Sequence, residues 1–175
     1  MKVLEMNYGY IHYGHDHFDP ELMRPIKNEC GNGWCKPSRE AGLWASPNEQ
    51  DFYTWEKWCE DEQFNLYNLK TSFCFRIKNP SRILEVGCDK ESFVEFIRAY
   101  GIANEHHWHK TVEDICNAIE NNDFIMGSVS LDFEKMASDG YAGIFFHFNR
   151  LTYYTMYGWD CDSLLIWDPN EIIAE

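Results

Sequence analysis

Several stretches of the chain alternate apolar and polar residues with a period of two, the pattern of a half-buried strand. The clearest runs from Thr71 to Ile77, where phenylalanine and isoleucine alternate with serine, cysteine and arginine. The stretch from Tyr141 to Phe148 is almost wholly apolar and predicts a buried strand. Together these patterns predict strands near residues 2–6, 10–14, 42–46, 71–77, 82–86, 141–148 and 163–167.

Other stretches place apolar residues at the three- and four-residue spacing of amphipathic helices. After Asp89, a typical helix-capping residue, Phe93, Phe96 and Tyr100 share one helical face, and Gly101 ends the pattern. The same spacing predicts helices near residues 47–60, 89–100, 111–120 and 132–138. This mixture predicts an α+β fold, and because no linker or repeat divides the chain, we expect a single domain over residues 1–175.

A strand-to-helix corner in the first third of the chain is rich in large aromatic residues. Ser46, Pro47 and Glu49 have the pattern of a helix start, with a capping serine, a proline at the first position and an acid that closes the capping box. Trp44 precedes this start and Trp55 follows it. Helix-start amides beside aromatic walls can hold a flat, charged ligand. The alternative is that both tryptophans pack in the core.

The composition limits the classes of partner. Of 175 residues, 45% are hydrophobic and 17% aromatic, which is ample for a packed core. The net charge of −14 makes nucleic acid an unlikely partner, because such binding rests largely on basic side chains that neutralise phosphates. An acidic chain can instead dock on a basic protein. No run of 18 apolar residues is present, so we expect no membrane-spanning segment.

The cysteines indicate a reducing compartment. Seven cysteines, an odd number without a dense framework, predict free thiols, and the N-terminus lacks the pattern of a secretory signal. We therefore expect a cytoplasmic protein. Cys30 and Cys35, with histidines upstream, leave a zinc site open as one interpretation. Their spacing and the absence of a second close pair favour unpaired thiols, so we expect neither a metal site nor a disulfide there.

The segment GLWAS, which ends at Ser46, resembles the poly-ADP-ribose-polymerase branch of the ADP-ribosyltransferases. That branch has a similar GIYFA segment, and a second aromatic residue eleven positions after the first, as Trp55 follows Trp44 here. The resemblance implies an ADP-ribosyltransferase-like α+β fold, with split, mostly antiparallel β-sheets and flanking helices. It also implies that NAD is the substrate and that Trp44, Ser46 and Trp55 lie around it.

The same resemblance assigns a role to the first core strand. In this family a histidine on that strand, close to a glycine, holds the nicotinamide ribose, and backbone groups there bind the carboxamide. His12 is the best match, with Tyr13 and Gly14 after it. The family's glycine usually follows its histidine directly, whereas here Tyr13 intervenes. The resemblance therefore implies that these three residues contact NAD.

The family's catalytic glutamate begins a late strand and stabilises the oxocarbenium-like cation that forms as nicotinamide leaves. The sequence DSLLIWDP, which begins at Asp162, has the form of that strand and its following turn. The glutamate position falls on Ser163 or on Asp162, and the resemblance implies that Asp162 acts with His12 in catalysis. Asp160 is a further candidate. The alternative is that Asp160 and Asp162 are solvated residues at the strand entrance.

Two functions of different classes remain open. The first is transfer of ADP-ribose from NAD to a protein acceptor, with His12, Trp44, Trp55 and Asp162 converging on one pocket. The second is a non-catalytic acidic protein that binds a host protein. The chain also resembles proteins of phages and gut bacteria in segments of the form KP-x-GLW-x-SP and YGWD-x-[DE]S, a resemblance that brings no established activity.

Overall fold

The computed structural model describes residues 1–6, 8–28, 36–37, 41–103, 111–123 and 129–175, and these ranges contain ten strands and five α-helices. The strands are β1 (Lys2–Val3), β2 (Tyr10–Tyr13), β3 (Leu43–Pro47), β4 (Ser72–Ile77), β5 (Ile83–Val86), β6 (Gly101–Ala103), β7 (Val129–Leu131), β8 (Gly143–Phe146), β9 (Ser163–Ile166) and β10 (Ile172–Ala174). The helices are α1 (Trp55–Asp61), α2 (Lys90–Tyr100), α3 (Val112–Glu120), α4 (Phe133–Ser138) and α5 (Arg150–Thr155).

Eight of the strands form one curled sheet in the order β1-β5-β8-β9-β3-β2-β4-β10. Within this sheet β5 and β8 run parallel, and the other neighbouring pairs are antiparallel. Strands β6 and β7 form a separate antiparallel pair. The architecture is therefore α+β, as predicted, with one large mixed sheet.

Strand β3 is where the two halves of the large sheet meet. Leu43, Trp44 and Ala45 pair with β9, whereas Ser46 and Pro47 pair with β2. Each neighbour thus pairs with a different part of β3. The sequence analysis predicts split sheets, and the structure corrects this by joining the two halves through a single strand into one sheet.

Hydrophobic residues cover both faces of the sheet. One cluster packs the sheet against α2, α3 and α4 and includes the strand residues Leu84, Val86, Ile144, Phe146 and Leu165. A second cluster fills the opposite face and includes Tyr10, Phe73, Phe75, Ile83, Phe145, Leu164 and Ile166. Successive strand residues point to opposite faces, so strands with both faces covered are apolar throughout.

Most of the predicted core elements are confirmed. Strands β2, β3, β4, β5, β8 and β9 lie at the predicted places in the chain. Asp89 caps α2 by accepting a hydrogen bond from the amide of Ser92, and Thr111 caps α3 through the amide of Asp114. These caps depend on residues only three positions apart, which is why a single sequence can indicate them.

The helix predicted from Pro47 is wrong at its start, because α1 begins at Trp55. Pro47 continues β3, where it lies opposite Tyr10 of β2, and Thr54 caps α1 instead. Ser46 does not cap the helix from the adjacent position, but its buried hydroxyl accepts a hydrogen bond of 2.9 Å from the amide of Trp55. Sheet pairing therefore overrides a local helix-start pattern.

Helix α5 is also absent from the sequence prediction, which treats residues 149–157 as a stretch crossing the domain. Tyrosine and threonine are weak helix formers. The side chain of Asn149 accepts hydrogen bonds from the amides of Leu151 and Thr152, and this cap starts the helix.

None of the helices in the described ranges is long and apolar enough to cross a membrane.

Gly143 of β8 leaves no room for a side chain between β5 and β9. A Cβ atom there would lie 2.7 Å from the carbonyl oxygen of Leu165 and 2.9 Å from Cδ1 of Ile83. We expect Gly143→Ala to lower the free energy of unfolding by roughly 1–3 kcal/mol in urea denaturation, because the strands must separate to accept the methyl group. Gly9→Ala is the matched control, since its Cβ would lie 3.9 Å from Cβ of Asn48, an ordinary contact. Equal stability of the two variants would contradict the close strand approach.

Candidate functional site

A cavity of about 390 Å³ lies beside β2 and the first residues of β3. Small-molecule sites occupy roughly 300–1,000 Å³, so this volume suits a small ligand or part of a larger one. The lining combines imidazole, aromatic and charged side chains and includes His12, His15, His17, Arg24, Trp44 and Phe73. We refer to it as the His12 cavity.

The end of the β2–β3 ladder places His12 at this cavity. Pairing of the two strands stops at Ile11 and Ser46, so the next residue of β2 has no ladder partner on β3. The Nδ1 atom of His12 lies 2.6 Å from the carbonyl oxygen of Trp44. A carbonyl can only accept, so Nδ1 carries the hydrogen, and Nε2 is the acceptor of the neutral ring. A side chain thus pairs with a strand carbonyl beyond the end of the ladder.

The surroundings of His12 favour its neutral form. Burial lowers the pKa of His12, the hydrogen bond to the Trp44 carbonyl acts in the opposite direction, and nearby His15 lowers it further. Nε2 of His12 lies 3.0 Å from Nδ1 of His15, and the two rings stack with centroids 5.2 Å apart. The Phe73 ring contacts His12 from another side, also at 5.2 Å between centroids. His12 is therefore an anchored imidazole with an acceptor nitrogen.

Arg24 supplies positive charge at the cavity. Its side chain is exposed, and its backbone carbonyl accepts a hydrogen bond from the amide of Gly42 at 3.3 Å. Asp19 also lines the cavity, but its carboxylate accepts a hydrogen bond from the amide of Glu21 at 2.9 Å. A guanidinium beside a neutral imidazole and aromatic rings suits a flat ligand that carries negative charge.

The Trp44 ring belongs to the helix-side hydrophobic cluster. It packs against Trp159, with ring centroids 4.7 Å apart, and Nζ of Lys36 lies 5.6 Å from the Trp44 ring centroid. His12 instead contacts Phe73, which belongs to the cluster on the opposite face of the sheet. The structure thus joins His12 to the backbone of Trp44 and not to its ring.

Four other predicted NAD contacts lie away from this cavity. The Trp55 ring stacks on Trp58 at 4.9 Å between centroids, and the hydroxyl of Tyr13 donates to Glu56 of α1 at 3.3 Å. The amide of Gly14 donates to the carbonyl of Thr71, and Ser46 is buried against Trp55. None of Tyr13, Gly14, Ser46 and Trp55 lines the His12 cavity.

Asp162 is a buried clamp between three segments of the chain. One carboxylate oxygen accepts a hydrogen bond of 2.7 Å from the amide of Tyr53, and the other accepts one of 2.8 Å from the amide of Phe148. The amide of Asp162 donates to the carbonyl of Tyr53 in return. Burial raises the pKa of the Asp162 carboxyl, although the two amides act in the opposite direction. The alternative of a solvated Asp162 is wrong, because the residue is only 7% exposed.

Of the four residues predicted to converge, His12 and Trp44 line the cavity, and Trp55 and Asp162 do not. Ser163, the other candidate for the glutamate position, is buried and donates its hydroxyl hydrogen to the carbonyl of Cys161. The carboxylate expected beside the ribose is therefore not among the residues that line the cavity.

Phe73 and Arg24 are cavity residues that the sequence analysis does not single out. Alternation places Phe73 correctly on the buried face of its strand, but its contact with His12 follows from the β2–β4 register, in which the two lie directly opposite. A single sequence indicates which residues share a face and not which strands pair.

Cys30 and Cys35 lie outside the described residues, so the structure does not bear on the free thiols predicted there.

No protein-family model, curated protein or solved structure matches the chain. The resemblance to ADP-ribosyltransferases therefore remains a prediction that rests on the sequence segments quoted above. The groups of the His12 cavity themselves indicate what it can bind. They are an anchored neutral imidazole, aromatic rings and an exposed guanidinium.

We expect Asp162→Ala to lower the free energy of unfolding by roughly 1–3 kcal/mol, because it leaves the amides of Tyr53 and Phe148 without acceptors. Urea denaturation measures this change. Asp51→Ala, at an exposed aspartate, is the matched control and should stay within about 0.5 kcal/mol of the wild type. An Asp162→Ala variant as stable as the control would show that the clamp contributes nothing to folding.

The lowered pKa of His12 predicts a pH-dependent contribution to stability. The unfolded chain takes up a proton near the ordinary histidine value of 6.5, whereas the folded His12 resists protonation until a lower pH. The contribution is fully present above pH 6.5 and is lost as the pH falls through the folded pKa. We expect the stability difference between wild type and His12→Gln to shrink as the pH falls from about 7.5 to about 5. Urea denaturation at each pH tests this, and a constant difference would contradict it.

Proposed function

We propose that the protein is an ADP-ribosyltransferase-like binder of NAD that holds the nicotinamide riboside end of the ligand in the His12 cavity. The observation that carries the proposal is the anchoring of His12 by the Trp44 carbonyl, which leaves Nε2 as an acceptor within the cavity lining. A ribose hydroxyl can donate to this nitrogen in place of His15, which is exposed. The sequence resemblance gives His12 this role independently of the cavity.

The remaining lining supports a ligand of this chemistry. Phe18 and Phe73 offer apolar surface for a planar ring, with their own ring centroids 6.2 Å apart. Arg24 can pair with the diphosphate, for which a guanidinium is well suited. In a chain of net charge −14, a cation at the cavity matters for holding an anionic ligand.

The strand order supports the resemblance as well. His12 lies on β2, Trp44 on β3, and Asp162 directly precedes β9, and these three strands are neighbours in the sheet. The three segments that the resemblance assigns to NAD are thus adjacent although they are remote in sequence.

We further propose that NAD is bound without transfer of ADP-ribose. Transfer needs a carboxylate near C1′ of the nicotinamide ribose, where positive charge develops as the glycosidic bond breaks. Both oxygens of Asp162 accept backbone amides, and Asp162 does not line the cavity. The proposed protein thus binds NAD but is non-catalytic, as in the second open function, an acidic protein that binds a host protein.

Thermal unfolding with three ligands tests the binding proposal. We expect saturating NAD, at about 100 times its dissociation constant, to raise the unfolding midpoint by roughly 5–10 °C, because only the folded state binds it. Nicotinamide mononucleotide should also raise the midpoint, whereas adenosine monophosphate should not, since the nicotinamide end enters the cavity. His12→Ala should abolish the shift, and Asp51→Ala, at an exposed residue that does not line the cavity, should keep it.

A wild-type protein that NAD does not stabilise would overturn the proposal, as would an unchanged shift in His12→Ala. Chromatography of the same mixtures tests the absence of transfer. We expect no free nicotinamide above the buffer blank over several hours. Release of nicotinamide that disappears in His12→Ala would overturn binding without turnover and favour the transferase.

A further inference from the structure

A second group of reactive side chains lies at the carboxyl ends of the parallel strands β5 and β8. Glu85 belongs to β5, Cys88 follows that strand just before α2, and His147 comes directly after β8. Each offers one ligand atom, a carboxylate oxygen, a thiol sulfur and an imidazole nitrogen, and these atoms lie within 4.8 Å of one another. The carboxyl ends of parallel strands are a common place for ligand sites in open sheets.

The backbone around this group is fixed. The amide of His147 donates to the carbonyl of Val86 at 2.9 Å, which extends the β5–β8 ladder. Asn149 donates from its side-chain amide to the carbonyl of Gly87 at 2.8 Å. Gly87 has φ +92°, and a Cβ atom there would lie 2.6 Å from Cγ2 of Thr152. The turn that presents Cys88 therefore requires glycine and is tied to the loop that carries His147.

The side chains are oriented as well. Nε2 of His147 lies 2.9 Å from Oε1 of Glu85, and the His147 ring packs edge-on against Phe145 at 4.9 Å between centroids. Glu85 and His147 are largely buried, whereas Cys88 is exposed. The imidazole of His147 and the carboxylate of Glu85 are thus held next to each other, beside the Cys88 thiol.

We propose that Glu85, Cys88 and His147 bind one zinc-like divalent transition-metal ion and leave a fourth coordination position open. Hard ions such as Mg²⁺ and Ca²⁺ prefer sites made of oxygen alone, and Cu⁺ prefers sulfur, whereas a mixture of thiolate, imidazole and carboxylate suits zinc. Two anionic ligands and one neutral ligand match the charge of a divalent ion. Three protein ligands in a tetrahedral site leave one position for water or another exogenous ligand.

The geometry requires only a small closure. Ligand atoms around a tetrahedral zinc ion lie about 3.5 Å apart. Nε2 of His147 and Oε1 of Glu85, which are 2.9 Å apart, must therefore separate slightly, and the Cys88 sulfur, which lies within 4.8 Å of the other ligand atoms, must approach by at most roughly 1 Å. Cys88 can supply this movement because its side chain is exposed. Lys2 is the nearby competing cation, and its ammonium group is held by Asp89 at 2.7 Å.

Titration of the chelator-treated full chain with Co²⁺ tests the proposal. Cobalt is a spectroscopic substitute for zinc, and a bound thiolate gives a sulfur-to-cobalt absorption band. We expect this band to saturate at one equivalent and to disappear when Zn²⁺ is added. Cys88→Ser should abolish the band, and His147→Gln should weaken the apparent affinity by more than about 10-fold.

Two controls assign the signal to these residues. Cys74→Ser removes another described thiol, and the double variant Cys30→Ser/Cys35→Ser removes the spaced pair noted in the sequence. Both should bind cobalt as the wild type does. Circular dichroism establishes that each variant is folded. Absence of the band in the wild type, or its persistence in folded Cys88→Ser, would overturn the proposal.

Discussion

The pairing of β3 with a different neighbour at each end is the constraint on which the rest of the structure depends. Because β9 pairs with its first three residues and β2 with its last two, the flanking strands do not face each other across a shared register. Beyond the end of the β2–β3 ladder, the carbonyl of Trp44 accepts a hydrogen bond from the His12 side chain. Strand connectivity therefore positions His12 at the cavity, and residues of the segment that follows β2 complete the lining.

Features with local signals could be predicted from the sequence. The cap of α2, the position of α3 and the alternation of β4 depend on residues close in the chain, and the structure has them as predicted. The start of α1 could not be predicted, because Ser46 and Pro47 form a valid local helix start that pairing with β2 overrides. The orientation of the Trp44 ring could not be predicted either, because it depends on which hydrophobic cluster each face of β3 contacts.

Two acidic residues, Asp162 and Glu85, show most clearly what a single sequence does not reveal about function. In the sequence, Asp162 precedes a predicted strand and Glu85 lies within another, and neither position indicates which groups the carboxylate faces. Asp162 proves to face two backbone amides, which makes it a structural group, whereas Glu85 faces an imidazole and a thiol. What separates them is the chemistry of their partners. His147 is remote in sequence from Glu85 and meets it through the parallel pairing of β5 and β8, a contact that no local pattern encodes.

The Asp162 clamp also bears on the order in which the chain can fold. Tyr53 and Asp162 are 109 residues apart, and β3 likewise finds its partner β9 only near the end of the described chain. Contacts of such long range form slowly, because the intervening chain must first be brought together. The corner between β3 and α1 therefore becomes fully structured only after the last strands have paired. Until then its aromatic residues and the unpaired backbone of β3 are exposed and can associate with other chains.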